Sequence, residues 1–182
     1  MNTVGGKIYK SMSDKDILNY LPNAQIISYP DLKNYKSISE LLPKNNTFFI
    51  LLYIDAKSQH TESGHWCLVM RYDSKIVYFD SFGHSPDEPL LKWLNCKERS
   101  KFNEGYLYLS KLLNNSNIPV FWSTYDYQNK TNEDVSTCGR WATERALQML
   151  EGMNDEEFNK YILSLKKKYK LSYDELICHL IP

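Results

Sequence analysis

The sequence predicts an α+β fold, in which a mostly antiparallel central sheet is flanked by helices. Apolar and β-branched runs between residues 47 and 80 are typical of strands, and turn residues separate them. Residues 138–182 instead carry helix-capping sequences and apolar residues at helical spacing. Because the strands and the helices fall in separate parts of the chain, the pattern favours the α+β class over an alternating α/β arrangement.

Capping sequences predict where four helical segments begin. A Ser or Asn stands three residues before an acidic residue in each of them, which is the capping-box pattern. These N-caps are Ser13, Ser37, Asn154 and Ser172. The first two helices are short and end near Pro22 and Pro43, because proline cannot continue a helix.

The middle of the chain reads as strands followed by helices. Residues 47–54 form a continuous apolar run, as expected for a strand that is buried on both faces. Residues 66–72 and 75–80 are separated by Asp73-Ser74 and predict an antiparallel hairpin. Further predicted elements are helices over 86–94, 104–113 and 138–151 and a strand over 118–122.

Size and charge limit the function classes. A chain of 182 residues is the usual size of one domain, so we expect a single domain over 1–182 with an N-terminal arm over 1–12. Basic and acidic residues balance at 22 each, so nucleic-acid binding is not implied. No membrane-length apolar run and no signal-peptide pattern is present, which predicts a cytosolic monomer with free thiols at its four cysteines.

A histidine and an aspartate occupy opposite ends of the predicted hairpin. His65 lies at the mouth of one strand, and Asp80 ends the next. Antiparallel pairing brings the start of one strand beside the end of its neighbour, so the two side chains can meet. A carboxylate in that position orients an imidazole that acts as a general base. Taken separately, His65 is also compatible with a surface histidine and Asp80 with a turn residue.

Cys138 precedes an apolar helical pattern and follows small polar residues, which places it at a helix N-terminus. The unpaired N–H groups and the helix dipole there favour a thiolate, the nucleophilic form of cysteine. Gly139 leaves room beside the sulfur for a substrate backbone. Gln128 could donate to an oxyanion together with the Cys138 backbone N–H. The alternatives are a buried packing cysteine and an ordinary loop glutamine.

The four residues occur in the order His65, Asp80, Gln128, Cys138, within the stretches GHW, YFDSFG, YQ and STCGRW. This set resembles the adenovirus protease (adenain) and the SUMO-specific proteases, and in size the small proteases of virophages and Maverick/Polinton elements. The resemblance covers roughly residues 47–150. It implies a papain-like or adenain-like cysteine protease core, with His65 as base, Asp80 as its orienting acid, Gln128 in the oxyanion hole and Cys138 as nucleophile.

The resemblance also implies what the enzyme would cleave. Its members cut after small residues of the Gly-Gly or Ala-Gly type, with the aromatic residue after the histidine, here Trp66, as one wall of a narrow channel. We expect a viral capsid or other structural precursor as substrate, processed in the host cytoplasm and the virion. The adenovirus protease uses DNA and a short peptide as activators, so the resemblance implies an activating peptide as a candidate partner. The neutral charge of this chain argues against a DNA cofactor. No other cofactor is expected.

Several rival interpretations use the same residues. Cys67 shares a strand face with His65 but lacks a helix dipole, so we interpret it as a packing residue. A metal site built from His60, His65, Cys67 and His84 fits no common zinc spacing, and we predict none. A G-x-S-x-G motif is absent, which disfavours a serine hydrolase. A deubiquitinating or deSUMOylating isopeptidase, a non-catalytic binding module and an acyltransferase remain as alternative functions on the same fold.

Overall fold

A five-stranded sheet forms the centre of the fold in this computed structural model, which describes residues 4–54, 64–101, 103–132 and 134–182. The strands lie in chain order across the sheet. They are β1 (Gln25–Ser28), β2 (Thr47–Ile54), β3 (Gly64–Tyr72), β4 (Lys75–Phe79) and β5 (Val120–Trp122). The three central strands pair antiparallel, whereas β1 pairs parallel with β2 and β5 parallel with β4.

The α+β class and the antiparallel centre of the sheet are therefore confirmed. The short edge strand β1 was not predicted, because its four residues do not form a run long enough to stand out from the flanking loops. Its parallel pairing depends on contacts with β2 that no local pattern encodes.

Eight α-helices lie in the described part of the chain. They are α1 (Val4–Lys7), α2 (Asp14–Tyr20), α3 (Glu88–Trp93), α4 (Cys96–Lys101), α5 (Tyr108–Asn114), α6 (Cys138–Leu150), α7 (Asp155–Tyr169) and α8 (Tyr173–Leu180). Two 3₁₀ helices span Tyr29–Asn34 and Ile38–Glu40. None of the helices in these residues has the length and apolarity needed to cross a membrane.

All four predicted capping boxes form, with reciprocal side-chain and backbone hydrogen bonds. The box at Ser37 opens a 3₁₀ helix rather than an α-helix. The helix predicted over 104–113 begins only at Tyr108, and α4 was not predicted. Residues 4–7 of the predicted arm form α1, which contacts α8.

The sheet separates two hydrophobic clusters. On one face α6 packs against β3, where Trp66, Leu68 and Met70 point toward the helix cluster that contains Cys138. On the other face Cys67 and Val69 join the cluster formed with the 3₁₀ helices, α3 and α5. This alternation along β3 follows from the two-residue period of a strand. Cys138 and Cys67 are consequently assigned to opposite faces of the sheet.

The start of β3 is fixed by a close approach of two strands. Gly64 faces Ile54 in the ladder, and a Cβ atom at Gly64 would lie 2.0 Å from the carbonyl oxygen of Tyr53. Only glycine fits there, because the obstructing atom is backbone and cannot rotate away. The position of the next residue, His65, depends on this contact.

Replacing Gly64 with alanine is expected to lower the free energy of unfolding by about 1–3 kcal/mol, because the added methyl group forces β2 and β3 apart. Denaturant unfolding followed by circular dichroism measures the change. Gly105→Ala is the matched control, since its Cβ would meet only Ser100 at 3.4 Å or beyond. Equal unfolding midpoints for the two variants would contradict the proposed strand contact.

Candidate active site

His65 and Asp80 meet across the end of the hairpin, as the antiparallel register predicts. His65 is the second residue of β3, and Asp80 directly follows β4. The Nε2 atom of His65 lies 2.8 Å from Oδ1 of Asp80. Both residues are buried, so this charge-assisted hydrogen bond is shielded from bulk water.

Asp80 is held by three donors. Its Oδ1 also accepts from the backbone N–H of Phe82 at 2.8 Å, and its Oδ2 accepts from Nδ1 of His84 at 3.1 Å. Burial opposes ionisation of Asp80, but the charge of His65 and these hydrogen bonds outweigh it and lower the pKa of the carboxyl. An ionised carboxylate only accepts, so Nε2 of His65 and Nδ1 of His84 must each carry a proton.

The imidazole of His65 is thereby fixed in orientation and tautomer. Burial disfavours its charged form, yet the carboxylate of Asp80 overrides burial and raises the pKa of His65 well above 6.5. The ring stacks on Phe82 at 5.2 Å and meets the edge of Trp93 at 4.8 Å between centroids. With Nε2 donating to Asp80, Nδ1 is the nitrogen left to exchange a proton with a thiol.

Cys138 is the first residue of α6, as its sequence context predicts. The first amide in α6 with a helical acceptor is that of Trp141, which donates to Thr137. The preceding amides, including that of Cys138, thus lie before the hydrogen-bonded part of the helix, where they favour negative charge. The side chain of His65 and the backbone N–H of Trp66 are near enough to the sulfur of Cys138 to act on its charge.

The environment of Cys138 stabilises its thiolate. Burial alone would raise the pKa of the thiol, but the hydrogen bond and charge of His65 and the amide of Trp66 together lower it. The sulfur can reach His65 because β4 ends at Phe79, opposite Leu68. Beyond that point the edge of β3 is not paired with β4, so the helix on one face approaches the histidine at the strand end.

Cys67 also lies beside His65, but its chemistry differs. It is fully buried, and the hydroxyl of Tyr78 donates to its sulfur at 3.1 Å. Burial and the nearby charge of Asp80 raise the pKa of its thiol to about 12, so it stays protonated at neutral pH. Cys67 is therefore a buried, protonated thiol, and the sequence had indicated a packing residue at this position.

Gln128 is tied to the residue after Asp80. Its Oε1 accepts from the hydroxyl of Ser81 at 2.8 Å, and its Nε2 donates to the carbonyl of Val135 at 3.0 Å. An amide nitrogen carries two hydrogens, so one donor remains for another acceptor. The oxyanion role of Gln128 stays a prediction.

Trp66 and Gly139 both pack against Met12. The indole of Trp66 is buried and donates to the carbonyl of Met12 at 3.0 Å. A Cβ at Gly139 would lie 3.1 Å from both Met12 Cβ and Trp66 Cδ1. Glycine therefore lets α6 approach Met12 and Trp66 on this side. The roles of Gly139 and Trp66 in substrate binding stay predictions.

Two further residues near the site were missed by sequence reasoning. Thr137, which precedes the nucleophile candidate, donates to Asp174 of α8 at 2.6 Å, and this bond anchors the start of α6. No local signal links residues 37 positions apart. His84 was considered only as a metal ligand, although its position four residues after Asp80 and just past a glycine turn was a usable signal.

Possible metal ligands within the described residues coincide with this site. One ligand atom each of His65, Cys67 and Asp80 lies within 4.8 Å of the others. In the structure His65 and Asp80 are hydrogen-bonded to each other and the Cys67 sulfur accepts from Tyr78, and the absence of a metal stays a prediction. His60, another residue of the rejected metal interpretation, lies outside the described residues.

No protein-family model matches the chain. The chain is 36% identical over 169 residues to the uncharacterized protein V9 of Sputnik virophage, an alignment that covers 92% of this chain and 91% of that protein. Among solved structures, it is similar to the C-terminal Ulp1 protease domain in complex with Smt3, the yeast ortholog of SUMO. That likeness has a TM-score of 0.40 and 12% identity and covers 97% of this chain and 79% of the other.

The pH dependence of thiol reactivity tests the coupling of Cys138 to His65. Because the pKa of Cys138 is lowered from 9.0, its alkylation by iodoacetamide should reach half of its maximal rate below pH 9.0. His65→Ala removes the cation and leaves burial and the charge of Asp80 opposed only by the Trp66 amide, so the midpoint should move upward. Mass spectrometry of the peptide that contains Cys138 measures the rate at each pH.

Cys67 is an internal control in the same experiment, since a thiol with a pKa of about 12 should stay unmodified while the protein is folded. Identical midpoints for the wild type and His65→Ala would contradict the coupling.

Proposed function

The chain belongs to the protein family of Sputnik virophage protein V9, and from the geometry at Cys138 we propose that it is a cysteine peptidase. One observation carries the proposal: His65, whose Nε2 lies 2.8 Å from a buried carboxylate, also acts on the Cys138 thiol at the start of α6 and lowers its pKa. Nucleophile, base and orienting acid in this order form the constellation that activates a thiol for acyl transfer.

In the proposed reaction, the Cys138 thiolate attacks the carbonyl carbon of the scissile peptide bond and a tetrahedral oxyanion forms. Its negative charge is stabilised by the backbone N–H of Cys138 and by the free amide hydrogen of Gln128. The imidazolium of His65 donates its Nδ1 proton to the leaving nitrogen as the C–N bond breaks. A thioester on Cys138 and a free amine result.

The second half of the reaction regenerates the enzyme. Neutral His65 accepts a proton from water, whose oxygen attacks the thioester carbon. The C–S bond then breaks, the carboxylic acid product leaves, and the thiolate–imidazolium pair is restored. Asp80 stays ionised throughout, because its role is to hold the tautomer of His65 and to stabilise the positive charge of the imidazolium.

Burial of the reacting groups supports a preference for small residues before the cleaved bond. Cys138 is 5% exposed and His65 6% exposed, and Trp66 and Met12 crowd the start of α6. A bulky side chain next to the scissile carbonyl would have to displace these groups, whereas a Gly-Gly or Ala-Gly segment would not. We therefore propose cleavage after small residues in an extended segment.

A structural precursor, such as a capsid protein, is the proposed natural substrate. The relative comes from a virophage. Assembly of a virus particle is a process in which a small protease would process the structural precursors. Recognition of a folded modifier needs an extended surface, which favours an extended precursor segment for a chain of 182 residues. The proposed setting is the host cytoplasm and the virion, with an activating peptide as an additional proposed partner.

Cleavage of co-expressed capsid precursors tests the function. The wild type should create new N-termini that follow Gly-Gly or Ala-Gly pairs, while Cys138→Ala should lower the cleavage rate by at least about a thousandfold, since it removes the nucleophile. Sequencing of the new termini by mass spectrometry measures both effects. Cys96→Ser is the matched control, because Cys96 is an exposed cysteine of α4 with no role in the proposed reaction.

Wild-type cleavage rates for Cys138→Ala would contradict the nucleophile assignment. Release of a fluorophore from SUMO or ubiquitin fusions, with the precursors left intact, would replace the precursor proposal with an isopeptidase.

A further inference from the structure

The carboxylate of Asp80 contacts a second imidazole on the side away from His65. Nδ1 of His84 lies 3.1 Å from Oδ2, while Nε2 of His65 lies 2.8 Å from Oδ1. The two histidines thus donate to different oxygens of one carboxylate. All three side chains are buried, so water does not compete for these positions.

A tight turn brings His84 back to Asp80. The backbone N–H of Gly83 donates to the carbonyl of Asp80 at 2.8 Å, which closes the turn. Gly83 has a φ of +70°, and a Cβ there would lie 2.8 Å from the carbonyl oxygen of Thr124. Only glycine combines this backbone angle with that close contact, so the placement of His84 is built into the turn.

Aromatic packing holds the two imidazoles in one frame. Phe82 and Trp93 each contact both rings: Trp93 is 4.8 Å from His65 and 5.8 Å from His84 between centroids. Phe82 is 5.2 Å from His65 and 5.6 Å from His84. A displacement of His84 would therefore move the Asp80 carboxylate, to which His65 donates. It would also move Phe82 and Trp93, the rings that His65 packs against.

We propose that His84 is a positioning residue for the active site, in that its Nδ1–H fixes the carboxylate of Asp80 in the orientation that holds His65. This inference rests on the proposed function, because a fixed carboxylate matters only if His65 exchanges protons with Cys138. Without the bond to His84, Oδ2 would be a buried charged atom lacking this donor. The carboxylate would then rotate to find another donor and draw Oδ1 away from Nε2 of His65.

Other titratable groups surround this cluster. Cys67 and Tyr78 lie on the strands beneath it, and Cys138 approaches from α6. From α3, Glu88 acts electrostatically on His84, and it forms an ion pair with Lys92 at 2.7 Å. A substitution at His84 leaves all of these side chains in the protein. A shift in the pH midpoint of Cys138 alkylation would therefore arise from the loss of the His84 imidazole.

The test compares His84→Leu, which removes the donor at similar bulk, with His84→Asn, whose amide nitrogen can take the place of Nδ1. The readout is the pH profile of Cys138 alkylation by iodoacetamide. His84→Leu should raise the midpoint and slow alkylation at pH 7 by about tenfold, the loss expected for one hydrogen bond to a charged group. His84→Asn should stay within about twofold of the wild type, since it keeps the donor.

His84→Ala is the second donor-free variant should leucine prevent folding, and thermal unfolding is recorded for every variant. A lower melting temperature with an unchanged pH midpoint for the donor-free variants would overturn the proposal, because a purely structural histidine would behave in that way. Equal slowing by asparagine and leucine would also overturn it. Peptide cleavage is not the readout, so an unshifted midpoint refutes the role of His84 alone and leaves the peptidase proposal to its own experiment.

Discussion

The hydrogen bond between Asp80 and His65 is the interaction on which the proposed chemistry depends. A carboxylate buried as deeply as that of Asp80 would be protonated without its donors, and His65 would then lose the charge that raises its pKa. The thiolate of Cys138 in turn depends on the cation of His65, because burial alone disfavours it. Protonation of the three groups is therefore coupled, and a change at one alters the others.

The fold brings these three groups together at the open end of the β3–β4 ladder. His65 belongs to the strand face that carries Cys67, whereas Cys138 arrives with α6 on the opposite face. Contact between them is possible because β4 stops at Phe79 while β3 continues back to Gly64. The same early stop releases Asp80 from the strand and lets it turn toward the histidine.

Local patterns predicted the parts of this arrangement that depend on neighbours in sequence. The hairpin placed Asp80 beside His65, and small polar residues before an apolar helical run placed Cys138 at a helix start. Patterns failed where distant contacts decide. The anchoring of Thr137 by Asp174 joins residues from separate helices, and the packing of Met12 against Gly139 joins the N-terminal segment to α6. Such contacts reflect the folded topology, which a single sequence does not spell out.

Titration of the histidine ring resonances by NMR tests the central claim most directly, with His65→Gln used to assign the signal of His65. The account predicts that His65 stays protonated well above pH 6.5 and that its neutral form carries the proton on Nε2. Asp80→Asn should lower the midpoint of His65, because the charge that overrides burial is removed. A wild-type His65 that titrates at or below 6.5, or whose neutral ring carries its proton on Nδ1, would contradict the account.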